Sequence, residues 1–230
     1  MRVVAAVHSD DGGPCVFGEV VRAGGHELVE WRPAESPPPS DADAVLVFGG
    51  SMHVDQEDEH PWLRDEREWL RSLLERHVPT LGVCLGAEML ASAAGWRVAP
   101  MARPEIGWHD VELTPTAPRD PVLGGAPPRF PAFQWHSYSV SPPNGSSVLA
   151  VNPACAQAYR VAERAWGIQF HAEVDSAAIE QWLDDGADGE DAREIGLDAV
   201  GVRERTWREI AAWNDLGRGL CGRFLELAET

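Results

Sequence analysis

Thr80-Leu81-Gly82-Val83-Cys84-Leu85-Gly86-Ala87-Glu88-Met89-Leu90-Ala91 reads as a buried strand ending at Val83, a sharp turn at Cys84, and a helix of small and apolar residues running to a glycine stop at Gly95. The Gly-x-Cys-x-Gly spacing is that of a nucleophile elbow. A strand that becomes a helix within one residue strains the backbone at the turn and brings positions 82 and 86 together, where side chains would collide. Cys84 then stands at a helix N-terminus, whose dipole is expected to lower the thiol pKa from about 8.5. The Leu85 N–H is placed to stabilise an oxyanion. Taken alone, the pentapeptide fits a buried structural cysteine equally well.

A cysteine nucleophile needs a base and a group that orients it. Trp166-Gly167-Ile168-Gln169-Phe170-His171-Ala172-Glu173 alternates apolar residues at 166, 168 and 170 and delivers His171 at the C-terminal end of a strand. Glu173 faces the same side if the chain stays extended. The order Cys84, His171, Glu173 supplies nucleophile, base and carboxylate.

Taken from the start, Val3–Val7 is a short apolar run of buried-strand type, residues 15–23 read as a helix stopped by Gly24-Gly25, and residues 27–31 form a second strand. The Pro-rich stretch 33–39 is a surface loop, and Val45-Leu46-Val47-Phe48 is a third buried strand ended by Gly49-Gly50. This rhythm predicts an α/β fold with a doubly wound, mostly parallel sheet flanked by helices and ligands at the strands' carboxyl ends. The loop His53–His60 mixes imidazoles and carboxylates, as a metal site does, but acidic residues ahead of Pro61 equally suit a helix N-terminus. The helix 61–77 puts Trp62, Leu63, Trp69, Leu70, Leu73 and Leu74 on its packing face and Arg64, Glu66 and Arg67 on a solvated one. Residues 95–104 read as a connection. Strands at 111–114 and 147–152, separated by Pro-rich turns, predict an antiparallel extension, and 156–161 with 165–170 a hairpin. Beyond Ser176 the chain turns helical, with a helix at 179–183, an acidic loop at 184–191 and a long amphipathic helix at 203–227. The expected organisation is an α/β domain over 1–183 and a helical extension over 184–230 packed on it.

The 230 residues carry 19 basic and 37 acidic side chains, a formal charge of −18 that repels phosphate backbones and anionic lipid and so argues against nucleic-acid and membrane roles. No apolar run approaches membrane-spanning length, and the N-terminus lacks a signal-peptide core. Four widely spaced cysteines without a C-x-x-C pair suit a reducing cytoplasm better than a disulfide framework or structural zinc.

In this order along the chain, Phe48-Gly49-Gly50-Ser51-Met52, the elbow, Pro104-Glu105-Ile106-Gly107-Trp108, Phe133-Gln134-Trp135-His136-Ser137, Gln157-Ala158-Tyr159-Arg160 and Gly167-Ile168-Gln169-Phe170-His171-x-Glu173 resemble the class I glutamine amidotransferases. The likeness is greatest to stand-alone members related to the glutaminase domain of GMP synthase. The resemblance implies attack by Cys84 on a γ-carboxamide, with His171 as base, Glu173 orienting it, and the Gly50 and Leu85 amides as oxyanion donors. Ser137 and Tyr138 become candidates to hold the substrate's amino-acid end. It implies no metal and no organic cofactor. The partners implied are a glutamine or γ-glutamyl substrate and a separate synthetase or acceptor protein; the helical tail, read from its own amphipathic pattern, is expected to pack on the domain, with capping the active site or forming a homodimer face as the other options.

One position departs from the pattern: most members have Gln one helical turn after the cysteine, where this chain has Glu88. A carboxylate there raises the thiol pKa and repels a substrate carboxylate, yet can grip an α-ammonium. γ-Glutamyl hydrolases carry Glu at that place. Three readings therefore stand: an amidotransferase glutaminase, a hydrolase of γ-glutamyl peptides or amines, and a non-catalytic binding module of the same fold.

Overall fold

The apolar runs form the middle of a nine-stranded mixed sheet in the computed structural model, which describes residues 1–230. In chain order the elements are β1 (Arg2–Ala6), α1 (Cys15–Ala23), β2 (Glu27–Trp31), β3 (Ala44–Val47), α2 (Trp62–Glu75), β4 (Thr80–Val83), α3 (Leu85–Ala93), β5 (Arg97–Leu113), β6 (Arg129–Ser141), β7 (Ser147–Val151), β8 (Ala156–Ala162), β9 (Ala165–Ile168), α4 (Ser176–Gly186), α5 (Glu190–Ile195) and α6 (Ala199–Ala228). The strand order is β2-β1-β3-β4-β9-β8-β7-β5-β6. The first five run parallel, with Val4 opposite Val45, Leu46 opposite Leu81 and Leu81 opposite Trp166. The remaining pairings are antiparallel.

Strands buried on both faces need apolar side chains at every position, which is why β1, β3 and β4 read as unbroken runs rather than alternations. Val3, Ala5 and Val7 face a core layer shared with Phe17 of α1 and with Trp213, Leu220 and Phe224 of α6. Val4 and Ala6 face the opposite layer, with Leu63 and Leu70 of α2 and Met89 and Leu90 of α3. Helices on both faces complete the doubly wound architecture, and the order reversal on either side of β1 sets a crevice at the strands' carboxyl ends. Val7-His8, Phe48-Gly49, Cys84 and His171 all lie just beyond those ends, on the neighbouring strands β1, β3, β4 and β9.

Several expectations need correction. Residues 97–113 are one long strand rather than a connection; Pro100 and Pro104 sit at a register irregularity between Pro100 and Glu105, the kind of place where a strand tolerates a residue without an N–H. β6 likewise begins at Arg129, inside the Pro-rich stretch read as turns. α4 starts at Ser176, capped by the Asp175 carboxylate on the Ala178 N–H at 2.9 Å, and runs to Gly186; the stretch read as an acidic loop holds its last turn and the start of α5. Glu66, expected on a solvated face, is fully buried on α2 and lies 3.0 Å from His8. Positions 62, 66, 69, 70 and 73 form one helical stripe, so the periodicity itself places Glu66 inward.

Candidate active site

The elbow has the geometry its glycines require. Cys84 holds φ 52° and ψ −115°, a left-handed conformation that a non-glycine residue adopts only under strain. A Cβ on Gly82 would lie 2.5 Å from the Gly86 carbonyl oxygen, and a Cβ on Gly86 would overlap the Val47 carbonyl. The turn is tied on both sides, by the Cys84 N–H to Ile168 O at 2.9 Å and the Gly86 N–H to Phe48 O at 3.1 Å.

Cys84 is 6% exposed, and its thiol donates to the Trp135 carbonyl at 3.7 Å. Burial pushes the thiol pKa well up, the Glu88 and Glu173 charges push it further, and the Leu85 N–H works in the opposite direction. The expectation of a lowered pKa is thus overturned. One helix N-terminus does not outweigh loss of solvent plus two nearby carboxylates.

His171 Nδ1 lies 2.7 Å from Glu173 Oε1, with both side chains 3% exposed. β9 ends at Ile168, and the chain turns rather than extends between 171 and 173, so the contact is made across a turn. Nδ1 faces the carboxylate, which leaves Nε2 as the ring nitrogen free for proton transfer. The turn is clamped from the C-terminal helices. Trp213 Nε1 donates to His171 O at 3.0 Å, Asn214 Nδ2 donates to Val174 O at 2.8 Å, and a Cβ on Gly217 would overlap Ala172 O. Trp182 of α4 meets the imidazole edge-on at 4.7 Å and donates to Asp11 O at 2.9 Å. Motif reading missed Trp182 and Trp213 because nothing local links them to position 171.

The cysteine and the imidazole converge on the β3 loop. The position a Cβ on Gly49 would occupy is 2.9 Å from His171 Cε1 and 3.6 Å from Cys84 Cβ. All three residues, with Gly50, Glu173 and Trp135, line one cavity of about 290 Å³, large enough for an amino-acid side chain. A larger groove of about 500 Å³ between β5 and the α5–α6 region contains none of Cys84, His171 or Glu173.

Glu88 does not line that cavity. It is buried, accepts from Gln169 Nε2 at 2.9 Å, and has its carboxyl pushed up to about 7, chiefly by burial. Ser137 and Tyr138 do not line it either; their neighbour Trp135 does. Tyr138 stacks on His53 with ring centroids 4.0 Å apart and donates to Asp55 at 3.1 Å, which ties β6 to the 53–60 loop. In that loop Glu57 pairs with Arg64 and Arg67 of α2. Glu105, His136 and Cys155 bring three potential ligand atoms within 4.8 Å of one another. The Glu105 oxygens already accept from Asn152 at 2.7 Å and Gln157 at 3.0 Å, so the cluster is a polar network tying β5, β6 and the start of β8.

The elbow on a doubly wound sheet faces a His–Glu pair, an arrangement whose residue types are those that thiol-dependent acyl transfer requires. The family model for class I glutamine amidotransferases matches residues 21–186, and the chain belongs to that family. It is 33% identical over 154 residues to a glutamine-hydrolysing GMP synthase subunit of Ignicoccus hospitalis, covering 65% of this chain and 77% of that one. A glutamine amidotransferase structure from Thermotoga maritima superposes with a TM-score of 0.87 at 25% identity, covering 98% of both chains. One from Methylobacillus flagellatus gives 0.86 at 25% identity, over 98% of this chain and 94% of that one.

Proposed function

We propose that this chain hydrolyses a γ-glutamyl amide through a thioester on Cys84 and releases ammonia to a separate acceptor or partner protein. The supporting observation is the meeting of Cys84 and His171 at Gly49, in a cavity that also holds Glu173. The Cys84 proton passes to His171 as the sulfur attacks the γ-carboxamide carbon. Charge develops on the carbonyl oxygen, and the Gly50 and Leu85 amides hold it. Collapse expels ammonia, protonated by His171. The same imidazole then takes a proton from water, which attacks the thioester and frees the γ-carboxylate product and the Cys84 thiol. Glu173 keeps Nδ1 protonated throughout. Ser137 and Tyr138, which lie outside the cavity lining, remain candidates for the substrate's amino-acid group only if substrate reaches beyond that lining. The segment 184–230 serves as an extension that holds the base in place.

The similarity to a GMP synthase glutaminase chain suggests an amination partner on a separate chain. A second reading follows the resemblance at Glu88, the residue type that γ-glutamyl hydrolases carry there, and takes γ-glutamyl peptides or amines rather than free glutamine as substrate; Glu88 lies outside the cavity lining and would act through the Cys84 thiol that it raises. Glutamate release from glutamine and from a panel of γ-glutamyl peptides and amines, with Cys84→Ser as control, separates the two. Hydrolysis of neither leaves the binding-module reading.

A further inference from the structure

We propose that His8, braced by Glu66, is a positioning residue for the oxyanion site, holding the Gly49 carbonyl so that the Gly50 N–H points into the cavity. The proposal rests on the reading of Gly50 as an oxyanion donor.

The side chains of His8 and Glu66 are both wholly buried. His8 Nδ1 lies 3.2 Å from the Gly49 carbonyl oxygen, and Nε2 lies 3.0 Å from each Glu66 carboxylate oxygen. The ring is stacked on Trp62 of α2, with centroids 5.6 Å apart and planes 20° from parallel. The Gly49 C=O and the Gly50 N–H belong to one planar trans peptide and point in opposite directions. Fixing the carbonyl on the His8 side therefore fixes where the N–H points. The glycines on either side would otherwise let this peptide rotate freely. A Cβ on Gly50 would sit 2.8 Å from His8 Cβ and 3.0 Å from Leu85 Cδ2, so residue 50 is packed between the His8 side chain and Leu85.

The proton inventory is decided by geometry. A carbonyl oxygen only accepts, and so does an ionised carboxylate. With an acceptor at each ring nitrogen, the pair satisfies both contacts only by holding one proton more than a neutral imidazole beside a carboxylate. Whether that proton resides on His8 or Glu66, Nδ1–H donates to Gly49. Glu66 is the titratable group facing the ring from α2; from the β3 side His8 meets the backbone of Phe48 and Gly49. Burial works to lower the imidazole pKa, but Glu66 and these backbone contacts outweigh it and hold His8 above its ordinary range.

The test compares wild type with His8→Phe, Glu66→Leu and Glu66→Gln in the full chain. Three readouts are used: kcat for the amide substrate, iodoacetamide alkylation of Cys84, and hydrogen exchange of the 47–51 backbone. Alkylation displaces iodide and develops no oxyanion, so it reports the nucleophile alone. Loss of one oxyanion donor costs about 10²- to 10³-fold in kcat, and loosening one is expected to cost roughly ten- to a hundredfold. His8→Phe and Glu66→Leu should lose that factor in kcat with KM nearly unchanged, alkylate at the wild-type rate, and exchange the Gly49 and Gly50 amides faster. Glu66→Gln, whose amide can donate to Nε2 while Nδ1–H keeps Gly49, should recover most of what Glu66→Leu loses. A kcat within twofold of wild type in both disruptive variants, or alkylation falling in step with kcat, overturns the proposal. If His8→Phe does not fold, Glu66→Leu decides, since it leaves Gly49 untouched. If the wild type hydrolyses no γ-glutamyl amide, the functional reading fails, and unchanged exchange at 47–51 is then what defeats this one.

Discussion

Glu88 Oε1 accepts a 2.9 Å hydrogen bond from Gln169 Nε2, so the first turn after Cys84 is tied to the residue two before His171. The carboxyl sits where solvent cannot reach it, and its pKa of about 7 lies above the ordinary 4.5. A folded-state pKa above the unfolded one means the native state binds the proton more tightly. The protonated group therefore carries its full stabilisation below pH of about 4.5, and this is lost as pH rises through 7. The shift corresponds to about 3 kcal/mol. Glu88→Gln keeps the hydrogen-bonding shape without the titration. The variant is expected to melt higher than wild type at pH 8, with the gap closing by pH 5. Thermal denaturation at the two pH values measures it.

The same carboxyl is one of the causes that raise the Cys84 thiol, after burial and ahead of Glu173. Alkylation of Cys84 in wild type should keep accelerating as pH rises past 8 instead of reaching a plateau near neutrality, since it follows the thiolate fraction. Glu88→Gln should shift that curve towards lower pH. Iodoacetamide rates between pH 6 and 10 test both statements.

Glu173 Oε1 lies 2.7 Å from His171 Nδ1, and in the proposed mechanism this contact fixes the imidazole's tautomer. Glu173→Gln preserves size but presents an N–H as readily as an oxygen to Nδ1, which favours the wrong tautomer. The expected loss in kcat is roughly 10²- to 10⁴-fold with an unchanged melting temperature. Steady-state kinetics beside a thermal scan would show whether the loss is catalytic.

Gly86 and Gly222 give opposite predictions for the same substitution. A methyl at Gly86 would overlap the Val47 carbonyl, whereas nothing lies within 4 Å of the corresponding position at Gly222 on α6. Gly86→Ala should destabilise by roughly 3 kcal/mol through backbone displacement. Gly222→Ala should stabilise by about 0.5–1 kcal/mol through helix propensity. Chemical denaturation of both variants measures the contrast.

Trp213 donates to the His171 carbonyl from a helix 42 positions away in sequence. Trp213→Phe removes that bond, worth about 1 kcal/mol, while retaining most of the packing against Phe130 and Phe170. The expected result is a lower kcat at nearly constant KM, because the base is less firmly held. Kinetics at saturating substrate provide the check.

The central sheet and the elbow are legible in the sequence because their determinants are local. Apolar runs mark strands buried on both faces, and glycines at 82 and 86 mark a turn with no room for side chains. The His171–Glu173 pair is legible as residues, although the turn that joins them is not. What stays hidden depends on distant contacts. Prolines at 100 and 104 mask a strand whose partner is 129–141. The charge of Glu66 points to solvent, although its helical position matches the apolar stripe and its partner, His8, is 58 residues away. The fall in thiol pKa expected from the helix terminus is reversed by burial and carboxylates that a local reading weighs too lightly.

In the proposed reaction Cys84 is the nucleophile towards a γ-glutamyl carbonyl. Peptide mass spectrometry of the full chain after incubation with a chloroketone analogue of glutamine tests this most directly. One adduct is expected, on the peptide carrying Cys84, absent in Cys84→Ser and suppressed by excess γ-glutamyl substrate. An unmodified Cys84, or labelling shared equally with Cys15 and Cys155, would contradict it.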